Sequence, residues 1–160
     1  MIHASASSTC PTMKLILFIG IQATGKSSFY RARFFDTHLR VNLDMLKTRH
    51  RESLLVAACL ESKTPFVVDN TNLTRADRAR YIAPAKHARF TIHGYFFESK
   101  IADALARNAA RTGNARVPDV AIRAACKKLE LPSFSEGFDT LHFVRINNNQ
   151  FIVEEWKNEI

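Results

Sequence analysis

The octapeptide Gly20-Ile-Gln-Ala-Thr-Gly25-Lys26-Ser27 lies between an apolar run, Lys14–Ile19 (KLILFI), and an amphipathic segment that extends through Phe35. It fits G-x-x-x-x-G-K-[ST] in full, and in this context the pattern demands a strand, a glycine-containing turn and a helix in that order. Glycines let backbone N–H groups wrap a string of phosphates, and a helix beginning near Lys26 aims its positive dipole end at them. Lys26 is expected to reach the β- and γ-phosphates, and the Ser27 hydroxyl to ligate a magnesium ion. The expected ligand is therefore ATP with Mg²⁺, contacted by Gly20, Ala23, Thr24, Gly25, Lys26, Ser27 and Ser28. The bland alternative is a glycine turn that happens to carry a surface lysine.

Downstream, short apolar runs alternate with longer helical patterns, as in a mostly parallel sheet covered by helices. Strands are predicted at Lys14–Ile19, His38–Leu43, Pro65–Asp69, Phe90–Phe97 and Leu141–Ile146. Helices are predicted at about Met45–Glu61, from Thr74 to about His87, for about ten residues after a Ser99 cap, and from Pro118 to near Leu131. Arg111–Val117 contains Gly113 and Asn114 and reads as a mobile loop; Asn147–Gln150 reads as a turn; the last ten residues fit strand or helix equally. The fold class is α/β: a P-loop, nucleotide-kinase-like domain over residues 13–160 with a five-stranded, mostly parallel sheet, helices on both faces and a helical lid.

Composition excludes several other classes. The longest apolar run, Leu15–Ile19, is far too short to span a bilayer. The first twelve residues lack both a basic n-region and an apolar h-region, so they are expected to be a loose tail rather than a signal peptide. Cys10, Cys59 and Cys126 are scattered and never paired as CxxC, which suits free thiols in a reducing cytoplasm. The six histidines show no metal-ligand spacing, and no GxSxG, GxGxxG or NKxD motif is present. The twelve phenylalanines, Phe134 and Phe138 in particular, invite a base-stacking role, but core packing is the expected role for most of them. The net charge of +8 attracts polyanions without naming one. Part of it is concentrated in Lys100–Lys128, where seven basic residues face two acidic ones.

Ligands of open α/β sheets gather at the carboxyl ends of the strands, and two aspartates fall there. Asp44 follows the second predicted strand and Asp69 closes the third. Asp44 could simply cap the next helix, and Asp69 could simply make an Asx-turn with Asn70–Asn72. On the rim of a P-loop they suit distinct chemical tasks. Asp44 is placed to accept the proton of an incoming hydroxyl, and Asp69 to hold the hydration shell of the metal. Arg107 and Arg111, four residues apart, present one helix face ahead of the mobile segment, where planar guanidinium forks could close over the transferring phosphoryl group. Exposed arginines that serve solubility are the alternative.

The segments GIQATGKSSF, VNLD, VVDNTN, RARYI, RNAAR followed by VP, and LPSFSEGF occur in this order across about Lys14–Ile146. Together they resemble the kinase domain of polynucleotide kinases, both the phage enzyme and the animal bifunctional kinase-phosphatase. The resemblance implies a general base at Asp44, a metal–phosphate role at Asp69 and lid arginines at Arg107 and Arg111. Lys47 stands where the phage enzyme has a phosphate-holding arginine, so a contact there is left open. No DxDxT phosphatase motif is present, and a stand-alone kinase is expected.

The expected function is transfer of the γ-phosphoryl group of ATP to the 5′-hydroxyl of a nucleic acid. Two alternatives remain: a P-loop kinase of a sugar, nucleoside or antibiotic, and a nucleotide-gated nucleic-acid-binding module without turnover.

Overall fold

Apolar runs such as KLILFI and FVV have no polar face to give to solvent, so both of their faces must be covered, as in central strands of parallel sheets. The computed structural model describes residues 13–157; the tail expected over residues 1–12 lies outside the described residues. Strands β1 (Lys14–Ile19), β2 (Leu39–Val41), β3 (Phe66–Val68), β4 (Thr91–Phe97) and β5 (Thr140–Asn147) are mutually parallel, and β6 (Gln150–Glu155) adds antiparallel to β5. The order across the sheet is β2-β3-β1-β4-β5-β6.

Six strands replace the five expected, because the ambiguous C-terminal segment forms β6. The turn explains why. Asn148 and Asn149 both adopt left-handed φ, 48° and 58°, and Asn147 pairs with Gln150. Two left-handed central residues match the twist of a tight hairpin, and asparagine tolerates that conformation. The turn thus directs the chain back along β5.

Successive β1 side chains point to opposite faces. Leu15, Leu17 and Ile19 pack with Val56, Cys59, Tyr81, Ile82 and Ala85 from helices α3 (Arg49–Glu61) and α4 (Arg75–His87). Ile16 and Phe18 pack with Phe29 and Tyr30 from α1 (Lys26–Arg33). On this second face Phe18, Phe29, Phe34, Tyr95 and Phe97 meet mostly edge to face. Phe138 is also core, whereas Phe134 is exposed. Helices α5 (Ile101–Ala109) and α6 (Asp119–Lys128) form a third cluster against the P-loop, through Ala104, Ile122, Ala125, Ile21 and Ala23.

Local chemistry moves several expected boundaries. The helix expected over Met45–Glu61 is two: α2 (Leu43–Leu46), capped by Asn42 Oδ1 on Met45 N, and α3, capped by Thr48 Oγ1 on Arg51 N. Lys47 breaks the run with a φ of 69°. Ser99 is not the cap of α5; its hydroxyl accepts Ile21 N and donates to Phe97 O, which fixes the P-loop shoulder instead. Pro118 occupies the N-cap of α6 rather than its first turn, and α6 stops at Lys128. Beyond it, Glu130 N donates to Leu73 O. Thr74 and Asp77 form a reciprocal capping box that starts α4.

Arg78 on α4 is completely buried. Its Nε and Nη2 donate to Glu136 at 2.7 and 2.9 Å, and Nη1 donates to the carbonyls of Asn72, Leu73 and Glu130. The RARYI and PSFSEGF segments therefore meet as one buried ion pair, which anchors the loop after β3.

Candidate functional site

The P-loop geometry follows from two residues with unusual backbone. Gly25 has a φ of 91°, and a Cβ on it would come within 2.9 Å of Ile146 Cδ1; only glycine is accommodated there. Ala23 is also left-handed, at 62°. No side chain caps α1, so the first-turn amides of Lys26, Ser27 and Ser28 have no intrahelical partner and remain available to an anion.

Lys26 folds back over the loop. Its ammonium donates to the carbonyls of Gly20 (2.9 Å) and Ile21, while Thr24 Oγ1 donates to Ile21 O at 3.0 Å. Burial pulls the lysine pKa from 10.5 to about 8, reinforced by the nearby Arg111 charge and opposed by Asp69 and Asp44. A cation held in so polarised a state is primed for a phosphate, whose charge would raise that pKa again.

Asp69 lies just beyond β3 and is 2 % exposed. Its Oδ2 accepts the Ser27 hydroxyl at 2.9 Å and the Arg40 guanidinium at 2.6 and 2.9 Å. These partners lie outside Asn70–Asn72. The Ser27 hydroxyl and the Asp69 carboxylate converge as a hard oxygen pair, the ligand type that suits Mg²⁺, and they are the residues that could hold it.

Asp44 is not a cap either, since Asn42 performs that task. It stands exposed in the first turn of α2, at the carboxyl end of β2. Two amides fix this corner. Asn42 Nδ2 donates to Asp69 O at 2.6 Å, and Asn70 Oδ1 accepts Leu43 N at 2.8 Å. Asn72 Nδ2 reaches across to Phe18 O, and Gly20 N donates to Thr71 O. The VNLD and VVDNTN segments thus stitch the ends of β1, β2 and β3 together.

A cleft of about 560 Å³ joins these groups. Ala23, Thr24, Gly25, Lys26, Ser27, Ser28, Asp44, Asp69 and Arg111 all line it. Gly20 contributes its carbonyl to Lys26 from below. Arg107 is not part of the lining; its Nη1 lies 3.5 Å from Ala23 O, at the outer limit of a hydrogen bond. Sequence reasoning missed Arg31, Arg40 and Arg49. Arg31 lies one turn beyond Ser27 on α1, and that i, i+4 spacing was the available signal. Arg49 reaches the cleft, held by Glu52 at 2.8 Å and Tyr81 at 3.0 Å. Burial and the adjacent Glu52 push the Tyr81 hydroxyl up to about 12. Lys47 is exposed and outside the cleft lining.

The loop between α5 and α6 is tied at its base by buried Asn108. Its side chain donates to Val117 O and to Asp119, and accepts Val117 N. Gly113 has open space around it. Arg111, Asn114, Ala115 and Val117 present the loop to the cleft.

The family model described as an AAA domain matches residues 15–132, from β1 through α6. The chain belongs to the AAA-domain family. Its fold is that of the P-loop kinases, and the P-loop marks it as nucleotide-binding. This AAA-domain chain is 24 % identical over 135 residues to a bifunctional polynucleotide phosphatase/kinase of Schizosaccharomyces pombe, covering 82 % of the chain and 33 % of that protein. It therefore spans about a third of the length of the curated relative it matches. Among solved structures, a gluconokinase from Sinorhizobium meliloti aligns with a TM-score of 0.61 at 19 % identity, covering 85 % of this chain and 84 % of that one. A chain of the Pnkp1/Rnl/Hen1 RNA repair complex aligns with a TM-score of 0.64 at 20 % identity, covering 79 % and 47 % respectively. At such identities these likenesses speak to the fold alone. Among the described residues, no helix is long and apolar enough to cross a membrane.

Proposed function

We propose that this AAA-domain kinase transfers the γ-phosphoryl group of ATP to a nucleic acid 5′-hydroxyl. The observation that carries the reading is the cleft itself. The P-loop and Asp44 open onto one cavity, and its walls carry Arg31, Arg49 and Arg111 in addition to Lys26. ATP's own phosphates account for Lys26 and Arg111; a neutral acceptor has no need of Arg31 and Arg49 as well, whereas a strand end brings its own phosphates. The match to a polynucleotide phosphatase/kinase supports the same choice.

In this reading the first-turn amides of α1 and the Lys26 ammonium cradle the β- and γ-phosphates. Ser27 and Asp69 would hold Mg²⁺, which when bound supplies positive charge at the phosphate oxygens. Asp44 accepts the proton of the acceptor hydroxyl and orients its oxygen for in-line attack. Arg111, from the loop above, meets charge on the phosphoryl group as it moves, and Arg107 braces the P-loop backbone at Ala23. Catalysis of this type rests on positioning and on electrostatics rather than on covalent chemistry.

The direct test supplies γ-labelled ATP with 5′-hydroxyl oligonucleotides of RNA and DNA, and with gluconate, other sugars, nucleosides and aminoglycosides in parallel. Label is expected on the oligonucleotides. Label on a small hydroxyl compound alone would reassign the acceptor. ATP-dependent strand binding with no label on any compound would make the chain a gated binding module.

A further inference from the structure

A carboxyl group as buried as Asp69 needs polar partners beside it. The cation among them is Arg40, from the middle of β2, the edge strand of the sheet. Its Nε and Nη2 lie 2.9 and 2.6 Å from Asp69 Oδ2, and Nη2 also donates to Ser27 Oγ at 2.9 Å. One guanidinium therefore engages both of the groups that this fold would offer to a divalent cation.

We infer that Arg40 is a displaceable internal counter-ion for the magnesium site, filling the Ser27–Asp69 pair until nucleotide arrives. The inference rests on the reading of Ser27 and Asp69 as cation ligands. A guanidinium within hydrogen-bond distance of both oxygens competes with any second cation for them, by occupancy and by like-charge repulsion. Arg40 must therefore leave Asp69 Oδ2 and Ser27 Oγ before those two oxygens can ligate a metal together.

The rest of its surroundings let it leave. The side chain keeps 21 % of its surface exposed. It lies over the Tyr30 ring at 5.6 Å, and its Nη1 donates to Met45 Sδ at 3.3 Å, a weak acceptor on a residue that is itself 63 % exposed. Tyr30 and Met45 thus offer an apolar track from the site to solvent along which the arginine stem can swing. Asp69 and Ser27 are the only strong acceptors that Arg40 has among the described residues.

The consequence is conditional loading. A bare divalent cation gains little by replacing a positive charge already in place. A polyphosphate adds the negative charge that tips the site toward the higher-valent ion. The protein is thereby expected to bind metal poorly until nucleotide arrives, while Asp69 stays neutralised throughout.

Mn²⁺ is the probe, read by electron paramagnetic resonance with and without ADP, on wild type, Arg40→Gln, Arg40→Lys and Asp69→Asn. Arg40→Gln is expected to bind Mn²⁺·ADP about fivefold more tightly than wild type, the factor that a partly exposed ion pair can be worth, and to show Mn²⁺ binding without nucleotide. Arg40→Lys, which keeps a charge but loses the fork, is expected to fall between them. Asp69→Asn is expected to lose Mn²⁺ in either condition. If Arg40→Gln gains nothing while Asp69→Asn loses the metal, the counter-ion role is overturned and the cation site stands. If Asp69→Asn binds Mn²⁺ as wild type does, the cation site itself is misassigned. Should Arg40→Gln prove unstable, the wild-type protein gives the answer through its Arg40 side-chain N–H resonance. Addition of Mg²⁺·ADP is expected to shift that resonance toward free arginine, and an unmoved resonance overturns the proposal.

Discussion

Lys26 shows how a single buried charge can make binding depend on pH. Its pKa is about 8 in the unliganded fold, against 10.5 in free solution. Between those values the unfolded chain holds more protons than the native one, so this group makes native stability rise with pH across that window. A phosphate against the ammonium should raise its pKa again. ATP binding near pH 8.5 is therefore expected to take up a substantial fraction of a proton, while at pH 6.5 it takes up almost none. Calorimetry in buffers of different ionisation enthalpy checks this, with Lys26→Ala as the control that should lose both the uptake and most of the affinity. Asp44 makes a contrasting prediction. It is exposed and free of capping duty, so Asp44→Asn should leave folding intact and ATP affinity within a few-fold. The rate of transfer should drop by about 10²–10⁴, as the loss of a general base does. Equal losses in ATP affinity and rate would instead place Asp44 among the metal ligands.

Among the elements, the loop between α5 and α6 depends most on one side chain. Asn108 makes three hydrogen bonds across the base of the loop and is fully buried. Asn108→Ala leaves the Val117 amide and carbonyl without partners, at about 1–3 kcal/mol for each buried group that stays unsatisfied. The expected result is selective loosening of the 110–117 loop, with the sheet unaffected. Hydrogen exchange should show amide protection lost in that segment, and turnover should fall because Arg111 no longer holds its position over the cleft. If protection were unchanged, packing of α5 on α6 would be the true anchor of the loop.

For the molecule as a whole, charge decides what can be tested about the acceptor. The net charge is +8; beyond the Lys26 and Arg111 assigned to the nucleotide, the cleft walls carry Arg31 and Arg49, and the Lys100–Lys128 segment adds further basic residues. If three or four basic groups meet strand phosphates, log affinity against log salt should fall with a slope of about −2 to −3 for a single strand. The acceptor KM for an oligonucleotide, measured from low to moderate salt at saturating ATP, should show this slope. The matching free nucleoside should show almost none. A flat response for both, with equal efficiency, would leave a small-molecule acceptor as the better reading.

Local patterns were enough to specify most of the framework. An apolar strand before G-x-x-x-x-G-K-[ST] determines a P-loop, because the backbone conformations it needs are available to few other residues, and a Cβ at position 25 would collide with Ile146. Strands β1 and β3 were legible from runs with no polar face, β2 from the alternation of Leu39, Val41 and Leu43, and α4 from its Thr74 start. Other features depended on contacts distant in sequence. Nothing near Ser99 or Lys47 reveals that one fixes the P-loop shoulder or that the other breaks a helix. The sixth strand depended on which way two asparagines turned the chain. Asp69 could be named from its position at the end of β3, but its partner Arg40 lies 29 residues away. That pairing exists only because β2 and β3 lie side by side, with Val41 opposite Val68. Sequence determines which groups a chain possesses and which turns its backbone can make. Which buried charge meets which counter-charge is set by strand order, because burial makes an unmet charge too costly to keep and the tertiary fold alone decides what lies within reach.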